Sequence, residues 1–112
     1  MTMQPHFLSA STLTGDDVVN PQGESLGNVK DIMLDTTTGK ITYAVLSFGG
    51  VLGLGDKLFA VPWSALRIDG ENKKVVLNVP KDRLKNAPGF DKDHWPNFAD
   101  PTFGRTISDY YH

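Results

Sequence analysis

Three side chains with metal-binding chemistry lie close together near the C-terminal end of this 112-residue chain. Asp91, Asp93 and His94 offer oxygen and nitrogen ligands of the kind that hard divalent cations take. The alternative that we favour is structural: Asp91 or Asp93 accepts hydrogen bonds from backbone N–H groups and caps a turn or a short helix. The remaining histidines, His6 and His112, stand at no ligand spacing from His94. The sequence therefore predicts no metal site and no cofactor.

The other polar side chains show no arrangement that predicts catalysis. Asp16 and Asp17 are adjacent, so an extended chain would point their carboxylates to opposite faces. The serines stand outside any nucleophile-elbow sequence. The glycines from Gly49 to Gly55 are not followed by a Lys-Ser or Lys-Thr pair, which favours a sharp sheet corner over a phosphate-binding loop. We therefore expect no enzymatic activity and no catalytic residues.

Aromatic side chains accumulate in the last part of the chain. Six of the eleven Phe, Trp and Tyr residues lie between Pro88 and His112. A disordered tail would be poor in aromatics, so this segment should be ordered and should pack on its own chain or on a neighbouring subunit. Because ordering the segment costs about as much as burying its apolar area gains, we expect a second chain to contribute and a homodimer to form.

These aromatic residues, together with one from the middle of the chain, form the predicted interaction surface. Its members are Trp63, Trp95, Phe98, Phe103, Tyr110 and Tyr111. For Trp63, packing in the core is the favoured alternative, because it follows Pro62 at a strand end. For Tyr110 and Tyr111, packing within the chain and binding to a protein partner both stay open.

Charge and composition limit the partners. The net charge is −2 and the isoelectric point is near 5.8, so neither nucleic acid nor an anionic membrane is expected to bind. The one basic concentration is interrupted by Asp82 and is interpreted as a solvated surface; it comprises Lys73, Lys74, Lys81, Arg83 and Lys85. No run approaches the roughly 20 apolar residues of a membrane-spanning helix. With no cysteine and no signal peptide, we expect a soluble, cytoplasmic protein.

The segment Lys40 to Phe48 predicts a strand with two buried faces. Ile41, Tyr43 and Val45 would point one way and Ala44, Leu46 and Phe48 the other, and both sets are apolar. Ahead of it, Leu13 to Val19 and Glu24 to Asp35 read as strands. In the second of these, Val29 and Ile32 can share a face only if a bulge lies near Lys30 and Asp31.

The later elements follow from similar signals. Lys57 to Trp63 alternates as a strand that Pro62 ends, and Arg67-Ile68 and Lys74 to Val79 flank a hairpin turn. Pro80 to Asn86 predicts a short helix. We therefore expect a mostly β protein: a small antiparallel β-barrel with one short helix and an aromatic-rich C-terminal extension. Residues 1–10 would be a leader, residues 11–87 the barrel domain and residues 88–112 the extension.

The assembled pattern resembles the PRC-barrel family between about residues 10 and 85. The matching segments are Leu13 to Gly15, Asn20 to Gly27, Val29 to Asp35, Gly39 to Val45, Gly49-Gly50 and Phe59 to Trp63. The family barrel also occurs in a photosynthetic reaction-centre subunit with a membrane anchor and in a ribosome maturation factor with a preceding domain. We expect neither addition here, so the resemblance is to stand-alone bacterial members.

The resemblance implies an interaction or adaptor module that binds a protein partner, and it implies no catalytic residues. Two alternatives stay open. By family analogy the protein could be an RNA- or ribosome-associated accessory factor. From Asp91, Asp93, His94 and the glycine-rich segment, it could be a small-ligand or metal-binding protein.

Overall fold

The predicted strands are present in the computed structural model, which describes residues 7–48 and 57–111. Within these residues, six strands form one sheet: β1 Asp17–Val19, β2 Ser25–Asp35, β3 Lys40–Phe48, β4 Lys57–Pro62, β5 Leu66–Asp69 and β6 Lys74–Leu77. The same part of the chain contains three α-helices: α1 Ala10–Leu13, α2 Lys81–Lys85 and α3 Pro101–Tyr111. The predicted glycine-rich corner, Gly49 to Gly55, lies outside the described residues.

The sheet curls into a half-barrel with the strand order β4-β3-β2-β1-β6-β5. It is mixed, because β1 and β6 run parallel while the other neighbours are antiparallel. The prediction of a purely antiparallel barrel is therefore wrong. The pairings show that β5 continues in the direction of β4, through the 3-10 helix Trp63–Ala65. Because this corner does not reverse the chain, β6 arrives parallel to β1.

The pairings of β2 are irregular at three points, and the sequence predicts one of them. Val29 pairs with Leu46 and Asp31 with Val45, so Lys30 is an extra residue in the ladder and the predicted bulge is confirmed. Nearer its start, the register with β1 also shifts, and Gly27 there has a φ of +91°. A Cβ on Gly27 would lie 2.0 Å from the carbonyl oxygen of Ser47, so only glycine fits this close approach of β2 to β3.

The two faces of β3 are both covered, as the sequence predicts. Ala44 and Leu46 join Phe59 and Val61 of β4 in the core that the half-barrel encloses. Tyr43 points to the opposite face, where it packs in a second cluster that includes residues of the C-terminal extension. Residues of the extension, 88–111, therefore pack on the sheet of their own chain.

The helices differ from the prediction in number and position. The short helix near Pro80 is confirmed as α2. The expectation of one helix is wrong, since α1 and α3 are also present. Leu13, expected to begin the first strand, instead ends α1 and is buried there, so β1 begins only at Asp17.

The turn before β2 is organised by a buried amide. Asn20 is 2% exposed, and its Oδ1 accepts hydrogen bonds from the backbone N–H groups of Gln22 and Glu24. Its Nδ2 donates to Glu24 Oε1 at 2.7 Å and to the carbonyl oxygen of Val79 at 3.2 Å. The Asn20 side chain therefore links the turn before β2 to Val79, which lies just after β6.

Candidate protein-interaction site

The extension begins as a partial extra strand on the edge of the sheet. Phe90 exchanges two backbone hydrogen bonds of 2.8 Å with Leu58 of β4. Gly89 permits this approach, because a Cβ there would lie 2.8 Å from the Leu58 carbonyl oxygen. The pairing covers part of the β4 edge and fixes where the following aromatic residues lie.

Phe98 is the centre of an aromatic cluster on the outer face of β3. Its ring centroid lies 5.5 Å from Tyr43 and 5.3 Å from Phe103, in tilted and edge-on arrangements. Phe90 and Trp95 lie 6.2 Å and 6.1 Å away. Aromatic pairs in such geometries stabilise by about 0.5–1.5 kcal/mol each beyond the area they bury. The cluster therefore holds the irregular part of the extension on the sheet.

Helix α3 also packs on the outer face of the sheet, next to the aromatic cluster. Its apolar residues recur at helical spacing, and Ile107 is fully buried beside Tyr43 and Ala60. Gly104 lets the helix come close, since a Cβ there would lie 3.1 Å from the Tyr43 hydroxyl oxygen. Asp100 Oδ1 accepts a 2.9 Å hydrogen bond from Thr102 N, which caps the first turn.

The end of α3 is clamped to α2 by a reciprocal pair. Arg83 donates from Nη2 to the carbonyl oxygen of Tyr110, and the Tyr110 hydroxyl donates to the carbonyl oxygen of Arg83. The guanidinium also lies 4.5 Å from the Tyr110 ring centroid, within cation–π range. Arg83, interpreted from sequence as part of a solvated basic surface, thus holds the extension in place.

Tyr111 is the residue at which the two apolar clusters meet. It contacts both the core of the half-barrel and the cluster under α3. Its hydroxyl is buried and makes no hydrogen bond within the described part of the chain. Burial raises the pKa of this phenol well above its ordinary value, and the neighbouring Tyr110 adds to the rise.

A cleft opens where the cover of β3 ends. It has a volume of about 510 Å³ and lies between the β2–β3 hairpin and the extension; its walls are Met33, Leu34, Asp35, Thr36, Thr37, Thr42, Tyr43, Phe98 and Ala99. This volume is within the range of pockets that hold small molecules or a few side chains. Burial raises the pKa of the Tyr43 phenol above its ordinary value.

The polar groups of the cleft sit on its hairpin side. Asp35 is its charged wall residue, and Asp35 Oδ1 accepts a 2.8 Å hydrogen bond from Thr37 N. Three threonines, Thr36, Thr37 and Thr42, place hydroxyl-bearing side chains nearby. One wall is therefore apolar and aromatic, and the other carries hydroxyl groups and a carboxylate.

Two large apolar side chains stand exposed around the cleft. Leu34 is 54% exposed on the cleft wall, and Trp95, which is 39% exposed, contacts the wall residue Phe98. Single exposed apolar residues are ordinary, but two of them beside the apolar wall of a cleft favour an interaction surface.

The structure divides the sequence-predicted surface. Trp95, Phe98 and Phe103 lie together beside the cleft. Tyr110 and Tyr111 pack at the α2–α3 clamp, and Trp63 is half-buried against the half-barrel core. Whether a partner binds any of them stays a prediction. The inference from sequence missed Leu34, whose signal is the run Ile32-Met33-Leu34: consecutive apolar residues in a strand cannot all face one core.

The segment with metal-binding chemistry forms a turn. His94 N donates to the Asp91 carbonyl oxygen, and His94 Nδ1 lies 2.7 Å from Asp91 Oδ1, with both side chains largely exposed. The hydrogen bond from His94 holds the pKa of Asp91 below its ordinary value. Across residues 7–48 and 57–111, no group of three or more His, Cys, Asp or Glu side chains is placed to hold a metal ion. His6 and His112 lie outside those residues.

Comparison with known proteins gives the class to which this chain belongs. The family model of the PRC-barrel domain matches residues 5–84, and the chain is a member of that family. Among solved structures, a 16S ribosomal RNA processing protein, RimM, from Pseudomonas aeruginosa aligns at 18% identity and a TM-score of 0.45. The alignment covers 67% of this chain and 45% of that one, so this chain spans less than half of that protein's length. A comparison with curated proteins gives no significant match.

The described helices set one further limit. None of them, across residues 7–48 and 57–111, is long and apolar enough to cross a membrane.

Proposed function

We propose that this protein is a non-catalytic interaction module of the cytoplasm that binds a segment of a partner protein in the cleft beside the β2–β3 hairpin. The observation that carries the proposal is Leu34, which is 54% exposed on the wall of a cleft that also contains Met33, Tyr43 and Phe98. Covering these side chains would remove apolar surface from water, which is the main source of protein–protein affinity.

The chemistry of the walls indicates the kind of segment that binds. An apolar side chain would lie against Phe98 and Leu34, and hydroxyl groups of Thr37 and Thr42 would reach polar backbone atoms of the partner. Asp35 disfavours an acidic segment and, for the same reason, a nucleic acid phosphate. A protein segment therefore suits the cleft better than RNA does.

The test is capture from a lysate of the source organism with tagged wild-type protein, a Leu34→Asp variant and a Gln22→Asp control. Gln22 is exposed in the turn that precedes β2, at the opposite end of the strand from the cleft, and its substitution changes the charge equally. We expect Leu34→Asp to weaken capture about tenfold or more and Gln22→Asp to leave it unchanged.

Two additions make the result specific. A photo-crosslinking amino acid at Ala99, which is exposed on the cleft wall, should crosslink the same partner, whereas one at Gln22 should not. Parallel samples treated with nuclease separate a protein partner from a ribosome-associated role. Equal capture by wild type and Leu34→Asp contradicts the proposal, and capture that disappears with nuclease favours the ribosome-associated alternative.

A further inference from the structure

The described chain exposes a second pair of large apolar side chains, far in sequence from the cleft. Phe7 is 90% exposed and Leu8 is 46% exposed in the leader that precedes α1. Together with Leu34 and Trp95 they make up the exposed large hydrophobic residues of residues 7–48 and 57–111. One pair projects from the surface and the other borders a cleft.

We propose that Phe7 and Leu8 of one copy of this protein occupy the Leu34 cleft of a second copy. The inference rests on the proposed function, because both use the same cleft. The leader of the second copy would compete with a partner protein for that cleft. Within one chain the pair does not fill the cleft, because Phe7 is almost entirely exposed. In a second copy the same ring would lie against Phe98, Leu34 and Tyr43, where aromatic and aliphatic partners are available.

Charge supports this occupant. The chain carries 13 acidic residues, yet the first of them is Asp16, so residues 1–15 contain no Asp or Glu. The leader can therefore approach Asp35 on the cleft wall without repulsion between carboxylates. The Ser9 backbone, which follows Leu8 directly, is extended, with φ −71° and ψ 133°.

Geometry gives the symmetry of the assembly. If each copy places its leader in the other, the two contacts are equivalent and the pair closes with twofold symmetry. Each contact involves only a few side chains, so the interface belongs to the small, transient class and the dimer should dissociate in the micromolar range. Occupation by the leader would also compete with a partner segment for the same walls.

The first experiment is sedimentation equilibrium of the full chain over a range of concentrations. At a protein concentration of about 100 µM, the wild-type protein should be mostly dimeric. Phe7→Ser should raise its dissociation constant about 100-fold, because each dimer loses two buried rings, and Leu34→Asp should act similarly. Gln22→Asp should leave the dissociation constant unchanged. A monomeric wild type, or a dimer that persists in Phe7→Ser, overturns the inference.

The second experiment places cysteines, because the chain has none of its own. A Leu8→Cys variant mixed with an Ala99→Cys variant should form the mixed disulfide on mild oxidation, and Leu8→Cys mixed with Gln22→Cys should not. Equal crosslinking of both mixtures overturns the proposed register. If wild type is monomeric while capture still depends on Leu34, this inference fails and the proposed function stands. If the dimer forms as described while Leu34→Asp leaves capture unchanged, the proposed function fails and this inference stands.

Discussion

Replacing Ile107 with alanine tests whether α3 supports the sheet. Ile107 is the fully buried residue of the helix and packs against Tyr43 and Ala60 on the outer face of β3 and β4. Truncating a fully buried isoleucine removes its transfer free energy and leaves a cavity, at a cost of about 2–5 kcal/mol. A small domain has about 5–15 kcal/mol of total stability, so Ile107→Ala should remove a large part of it.

Urea denaturation measures how much the free energy of unfolding falls in Ile107→Ala. We expect a loss near the middle of that range, because the helix is a surface layer whose remaining side chains can partly close the cavity. The melting temperature should fall by about 10 °C or more, given several degrees per kcal/mol for a domain of this size. Ile107→Val, which removes one methyl group, should cost only about 0.5–1.5 kcal/mol. Thr106→Ala, at the exposed neighbouring position, serves as a control for helix propensity.

The fluorescence of the two tryptophans shows whether the extension unfolds together with the sheet. Trp95 lies in the extension and Trp63 at the corner between β4 and β5, so variants that retain one tryptophan report on each part. If extension and sheet form one cooperative unit, both probes should show the same transition. A loss below about 0.5 kcal/mol for Ile107→Ala, or an earlier transition at Trp95 alone in the wild type, would refute the view that α3 is part of that unit.

Three further substitutions test other contacts by the same denaturation measurement. Gly27→Ala should cost more than about 2 kcal/mol, from positive-φ strain plus the clash with Ser47, whereas Gly39→Ala has open space and should cost only about 1 kcal/mol; equal losses would contradict the close approach. Tyr43→Asp should unfold the protein, since a buried unpaired carboxylate costs several kcal/mol, and wild-type melting would place Tyr43 on a wet surface. Tyr111→Phe should be neutral or stabilising by about 1 kcal/mol, because it removes a buried hydroxyl without a partner; a loss above 1 kcal/mol would show that the hydroxyl is hydrogen-bonded.

The strands could be predicted from sequence where local signals act alone. The bounds of β3 follow from a run of β-branched and aromatic residues after a turn glycine. The bulge at Lys30 follows from a break in alternation, because apolar residues three apart cannot otherwise share a face. Such signals depend on only a few neighbouring residues, so these features can be predicted without knowing the rest of the fold.

The direction of β6 could not be predicted in this way. It depends on whether the corner at Trp63–Ala65 reverses the chain, and a single 3-10 turn has no strong local signature for either outcome. The parallel pairing of Val18 with Val75 brings together residues 57 positions apart in the chain. Non-local pairing of this kind is determined by how the whole sheet closes around its core.

Helix α3, by contrast, could have been predicted. Phe103, Ile107, Tyr110 and Tyr111 fall at the spacing of one helical face, after an aspartate cap and a proline at the first position. Its three β-branched residues and Gly104 lower the intrinsic helix propensity and obscure the pattern. Packing on the sheet compensates for that weakness, as it does for most helices in globular proteins.

The location of the cleft follows from the two-faced character of β3. A strand with apolar side chains on both faces must be covered on both, and here the half-barrel core covers one face while the extension covers the other. The cover stops at Tyr43, where the cleft opens; Thr42 and Leu34 line this cleft nearer the hairpin and are exposed. A partner segment in the cleft would therefore continue the layer that the extension begins, and it would bury the exposed side chain of Leu34. This continuity is the physical reason to look for the binding site beside Phe98 and Ala99, where the cover of β3 stops, rather than on the half-barrel core.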